Sequence, residues 1–150
     1  MFSRNYAWSR IATGTMNSGV NITIPTTAPL ADHELILTNV SHSNGIASVL
    51  RLWIEGDTTP GNYTAIFGAP VGLWSVPGLV AADQLSLRAR IFGYRWGGVF
   101  CFASANYNGA NFSQKGAIHR SLGFGLQGFR LDYDNGANFD GGTYELWGRP

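Results

Sequence analysis

Gln84-Leu-Ser-Leu-Arg-Ala-Arg-Ile91 is the stretch that decides the fold. Leu85, Leu87, Ala89 and Ile91 hold the odd positions, and Gln84, Ser86, Arg88 and Arg90 hold the even ones. A period of two sends alternate side chains to opposite faces, so the segment reads as a half-buried β-strand. Phe129, Leu131 and Tyr133 alternate with Arg130, Asp132 and Asp134 in the same way, as do Val20, Ile22 and Ile24 with Gly19, Asn21 and Thr23.

Further strands are expected near 6–13, 34–40, 47–55, 62–67, 97–104, 115–122 and 142–148. Turn signals separate them: Asn17-Ser18-Gly19, Pro25 to Pro29, Ser43-Asn44-Gly45, Asp57 to Gly61, Asn135-Gly136 and Gly141-Gly142. Glycine reaches positive φ without steric cost and proline presets φ, so these turns have a mechanism. No stretch reads as a long helix. Many short strands at this spacing predict one all-β domain over 1–150, an antiparallel β-sandwich of jelly-roll type.

The run 97–104 departs from simple alternation. Val99, Cys101 and Ala103 fill one face, and Phe100 and Phe102 the other. A strand apolar on both faces is covered on its second side either by its own loops or by a neighbouring subunit. On the subunit reading, Phe100 and Phe102 are interface residues. Trp53 and Trp147, which alternate against Leu52 and Leu146, are expected on the non-core face beside them.

Composition narrows the function classes. Only 13% of the 150 residues are charged, against roughly a quarter in an ordinary soluble domain, and 45% are apolar. That leaves surface for a partner to cover. Nine of the ten basic residues are Arg and the net charge is +1. Scattered, balanced arginines suit protein interfaces and disfavour a nucleic-acid stripe. No apolar run is long enough to span a membrane, and Met1 to Arg10 lacks the apolar core of a signal peptide. Synthesis in the cytoplasm follows as an expectation.

Candidate chemistry is sparse. Cys101, the only cysteine, sits in an apolar run and reads as a buried hydrophobe. Asp132, Asp134, Asn135, Asn138 and Asp140 form the densest oxygen cluster, but the spacing fails an EF-hand, with Gly136 too early and Thr143 where Glu is required. His33, His42 and His119 lack metal spacing, and Glu55 and Asp57 read as a strand end entering a turn. No G-x-S-x-G elbow and no phosphate loop occurs. The expectation is a protein that is not an enzyme and needs no metal or cofactor.

An internal echo, Asn108-Gly-Ala-Asn-Phe112 and Asn135-Gly-Ala-Asn-Phe139, reads first as two tight turns. The sharper reading makes the two segments a matched pair of ligand-binding loops, with Asn111, Phe112, Asn138 and Phe139 as the contacts.

Several segments together resemble a family of jelly-roll domains in virion proteins of tailed bacteriophages. The opening is Trp8-Ser-Arg-Ile-Ala-Thr13, Asn17-Ser-Gly19 and Val20-Asn-Ile-Thr-Ile-Pro25, followed by His33-Glu-Leu-Ile-Leu-Thr38. The middle is Leu50-Arg-Leu-Trp-Ile-Glu-Gly-Asp57 with Gly61-Asn-Tyr63, and the end is Gly128-Phe-Arg-Leu131, Ala137-Asn-Phe139 and Gly142-Thr-Tyr-Glu-Leu-Trp-Gly148. The chain departs from the family in carrying Glu55 where Asn often precedes Gly-Asp, in the stretch 68–80 and in the final Arg149-Pro150. The resemblance implies no catalytic residues. It implies a part of the virion: a head decoration or head-fibre protein that binds the major capsid protein as a homotrimer, or else a tail component or receptor-binding tip whose loops 41–46, 105–114 and 134–141 stack aromatics on a host surface glycan. On this reading the segment Met1 to Asn5, with Phe2 and Arg4, is a docking arm.

Overall fold

The computed structural model describes residues 7–26, 32–67, 72–92, 98–107, 110–119 and 127–150. Eleven strands run through them: β1 (Ser9–Thr15), β2 (Asn21–Pro25), β3 (Asp32–His42), β4 (Ser48–Ile54), β5 (Tyr63–Phe67), β6 (Trp74–Leu79), β7 (Leu85–Phe92), β8 (Val99–Tyr107), β9 (Ala110–His119), β10 (Gly128–Tyr133) and β11 (Phe139–Arg149). A single 3-10 turn, Pro60–Asn62, is the only helical element among the described residues.

The strands form two antiparallel sheets. The large one runs β1-β11-β3-β7-β8-β9-β5 and the small one β2-β10-β4-β6. The pairing has a simple order. The first four strands pair with later ones in reverse: β1 with β11, β2 with β10, β3 with β7, β4 with β6. Alternate pairs fall in alternate sheets. Strands β5, β8 and β9 are additions that widen the large sheet by three strands.

The alternation read from the sequence sets which face each strand buries. Leu85, Leu87, Ala89 and Ile91 of β7 join Leu35 and Leu37 of β3, Cys101 and Ala103 of β8, and Leu146 of β11. Opposite them lie Ile24, Leu50, Leu52, Ile54, Val76, Phe129 and Leu131 of the small sheet. The two inner faces share one core, as in a sandwich.

One close approach demands glycine. Gly142 has φ +109°, and a Cβ there would lie 2.7 Å from Val40 Cα. It sits where β11 shifts register against β3, near Asn39, a non-glycine residue at φ 53°. Paired irregularities on adjacent strands tighten the bend of that end of the sheet.

The structure corrects several expectations. Strand β6 was not anticipated, because Pro77 and Gly78 interrupt its pattern. Residues 105–114, expected as a loop, largely extend the β8–β9 hairpin, with 108–109 outside the described residues. Val20, which alternates with Ile22 and Ile24 in the sequence, is exposed and precedes the edge strand β2.

Candidate functional site

The side chains pointing away from the core on β11, β3, β7 and β8 build the most distinctive surface of the molecule. Strand register fixes it. Trp147 lies opposite Glu34, Glu34 opposite Arg90, and Arg90 opposite Phe102, one rung crossing four strands. The next rungs carry Asp32 opposite Arg149, and Phe92 opposite Phe100. Period two, applied strand by strand, puts all of these on the outer face.

Ion pairs organise the centre. The Glu34 side chain is only 9% exposed. It accepts hydrogen bonds from Arg88 Nε at 2.6 Å, Arg88 Nη2 at 3.1 Å and Arg90 Nε at 3.4 Å. The hydrogen bonds from Arg88 hold its carboxyl below the usual range, against the opposing effect of burial. Both arginine side chains remain 62% exposed. Beside them, Phe92 stacks on Phe100 and Phe102 with ring centroids 5.8 and 5.6 Å apart and planes within 16°. Phe92 is 37% exposed, a large side chain left at the surface. At the strand ends the Trp8 indole lies 4.9 Å from the Arg149 guanidinium and 5.9 Å from that of Arg90.

Three depressions lie on this face over β3, β7 and β8. One of about 410 Å³ lies over Ile36, Thr38, Ser86 and Asn106, and one of about 300 Å³ between Glu34, Arg88, Arg90 and Phe102. One of about 200 Å³ is lined by Trp8, His33, Arg90, Phe92 and Arg149. The face is shaped and chemically mixed, with arginines and aromatics together, the composition of an interaction surface.

Three of the four residues expected at a subunit interface meet here: Phe100, Phe102 and Trp147. Trp53 does not, and that expectation is corrected. It belongs to β4 of the other sheet and is 1% exposed. Its Nε1 donates to Asp132 Oδ1 at 3.0 Å, Tyr63 packs edge-on against it, and Gly72 closes over the ring. Its own chain covers it, so no area remains for a neighbour.

The glycan-contact residues disperse. Phe139 is 1% exposed and packs on Tyr133, which rules out stacking on a sugar. Asn138 is exposed and its carbonyl accepts a hydrogen bond from Ser43 N. Asn111 and Phe112 pair along β9 with Asn106 and Ala105 of β8. Their side chains lie outside the described residues, as do Phe2 and Arg4.

The oxygen-rich segment 132–140 divides its carboxylates among separate protein partners. Asp132 takes Arg51 and Trp53, Asp134 takes Val49 N, and Asp140 takes the Ser41 hydroxyl. Among the described residues no group of three His, Cys, Asp or Glu converges as ligands.

One pair has the look of an acid–base dyad. His119 Nε2 lies 2.7 Å from Asp57 Oδ2. Asn62 Nδ2 and Thr59 N also donate to this carboxylate, and Tyr63 OH donates to the Asp57 carbonyl at 2.6 Å. Burial works to raise the Asp57 pKa, but the bonds from His119, Thr59 and Asn62 outweigh it and the net shift is downward. With His119 1% exposed, the arrangement fastens the 55–62 turn to the end of β9. Cys101 is buried and its thiol is pushed up to about 12, so it is no nucleophile near neutral pH.

Sequence reasoning missed Trp8, Glu34, Arg88, Arg90, Phe92 and Arg149 as members of a common site. Their outward placement on β7 was legible from the alternation Arg88, Arg90, Phe92. Which residues of other strands lie beside them depends on register, which the alternation does not specify.

No family model, curated protein or solved structure matches the chain.

Proposed function

We propose that this protein is a non-enzymatic structural part of a bacteriophage particle, a head decoration or head-fibre protein that acts as a homotrimer and stabilises the capsid. The observation that carries this reading is the outer face of the large sheet, where Trp147, Phe92, Phe100 and Phe102 stand among registered arginines. This face is the contact surface between copies. Arginine and aromatic side chains in half-open pockets are the groups that dominate protein–protein binding energy. The jelly-roll reading is supported by the reverse-order pairing of eight strands into alternating sheets. The added strand β8 then belongs to function, since it supplies Phe100 and Phe102.

The task is mechanical. Packed DNA presses outward on a head, and a protein bridging capsomers opposes that pressure by burying interface area, about 1,600 Å² for a standard contact. Repetition over the lattice supplies avidity. The tail-tip alternative is weakened by the burial of Phe139. Localising the protein on purified particles tests the proposal. Lattice positions on the head, with heat-sensitive heads when the protein is omitted, are expected. Density confined to the distal tail, or turnover of a polysaccharide, overturns it.

A further inference from the structure

The two ends of the sandwich carry opposite, unspent charge. At one end, where β1 and β3 begin and β7 and β11 finish, lies the 200 Å³ depression lined by Trp8, Asp32, His33, Arg90, Phe92 and Arg149. Arg149 uses only Nε, donating to Asp32 Oδ2 at 2.8 Å, and Arg90 uses only Nε, donating to Glu34 at 3.4 Å. Both terminal amino pairs lack a hydrogen-bond partner among the described residues. Arg90 and Arg149 line this depression with Asp32 as its one carboxylate, two positive charges against one negative.

At the other end, the tight turn Tyr133–Gly136, closed by Gly136 N donating to Tyr133 O, presents Asp134, and the start of β11 presents Asp140. Both are exposed, and neither has an ion-pair partner among the described residues. Each has its hydrogen bond on Oδ1, and Oδ2 has no hydrogen-bond partner among the described residues. Asp140 and Arg149 lie on one extended strand, nine residues apart, roughly 30 Å at about 3.4 Å per residue. The poles of a single copy cannot meet.

We propose that the Trp8–Arg90–Arg149 pocket receives the acidic 134–140 turn of a second copy, so that copies associate head to tail. The inference rests on the reading of this protein as a homo-oligomer and names the contact that builds it. A pocket of about 200 Å³ is below the size typical for small-molecule ligands and fits one inserted side chain. Planar guanidinium groups beside an indole favour a carboxylate approached in two-pronged fashion. The pocket shares Phe92 with the aromatic stack and Arg90 with the adjoining depression, so it is continuous with the proposed contact face. Head-to-tail contacts close into rings when the rotation between copies allows it, and a trimer is such a ring.

Sedimentation of four proteins tests this: wild type, Arg90→Asp, Asp134→Arg, and the double variant that carries both changes in one chain. Wild type associates, each single variant falls to monomer, and the double variant regains the wild-type mass because the reversed charges now match at every contact of the ring. Asp140→Arg replaces Asp134→Arg if Asp140 makes the contact. Arg90→Gln and Asp134→Asn, which keep the Glu34–Arg88 pair and an acceptor for Val49 N, serve if a reversal fails to fold, and each lowers the associated fraction. Wild-type association unchanged in every variant overturns the head-to-tail contact while leaving the oligomer standing. A wild type that is monomeric at all concentrations overturns both.

Discussion

Glu34 and Arg88 are joined by two hydrogen bonds, of 2.6 and 3.1 Å, across adjacent strands of the large sheet, with the carboxylate buried and the guanidinium in water. The pair sets the register of β3 against β7 on the outer face and holds Arg88 upright between two depressions. Glu34→Gln is expected to cost about 1 kcal/mol, since the exposed arginine screens much of the gain. Because the folded carboxyl titrates below its ordinary value of 4.5, this contribution is present above that pH and is lost as pH falls through the lowered value. Urea unfolding at pH 7 and pH 3 measures both: the variant loses less between them than wild type.

His33 gives a second pH window. Burial lowers its pKa to about 4, with Asp32 opposing, and its Nε2 lies 2.6 Å from the Thr26 hydroxyl. The unfolded state binds the proton first, so stability falls as pH drops from 6.5 towards 4. The full loss is about 3 kcal/mol, at about 1.4 kcal/mol per pH unit. Unfolding midpoints at pH 7, 5.5 and 4 are expected to decline in wild type and to flatten across this window in His33→Gln.

Tyr63 is expected to matter for stability alone. Its hydroxyl accepts from Ile54 N and donates to the Asp57 carbonyl, joining the end of β4 to the 55–62 turn. Tyr63→Phe removes both bonds and is expected to cost roughly 1–3 kcal/mol. Thermal unfolding reads that loss, and the mass in solution stays unchanged because Tyr63 lies away from the outer face.

Gly142 and Gly45 separate backbone strain from mere substitution. At Gly142 a Cβ meets Val40 Cα at 2.7 Å with φ at +109°, whereas at Gly45 nothing lies within 4 Å. Gly142→Ala is expected to cost on the order of 2–3 kcal/mol, and Gly45→Ala well under 1. Equal denaturation midpoints for the two variants contradict the bend assigned to that end of the sheet.

The period-two pattern made the β-class legible. Leu85, Leu87, Ala89 and Ile91 announced both the strand and its buried face. The pattern failed where another segment supplies the environment. Trp53 alternates as an exposed residue, yet Tyr63 and Gly72 close over it. Phe139 sits in a turn-like sequence but packs on Tyr133. The site was legible in part: Phe100, Phe102 and Trp147 were marked by apolarity on a second face. Glu34, Arg90 and Arg149 read as ordinary solvent-facing charges, because only strand register brings them beside those aromatics.

The central claim is that the outer face of the large sheet binds other copies of this chain. Sedimentation equilibrium of the wild type beside Phe92→Ser and Phe102→Ser tests it most directly. A trimer for wild type and folded monomers for both variants are predicted. A wild type that stays monomeric, or a trimer that both variants preserve, contradicts it.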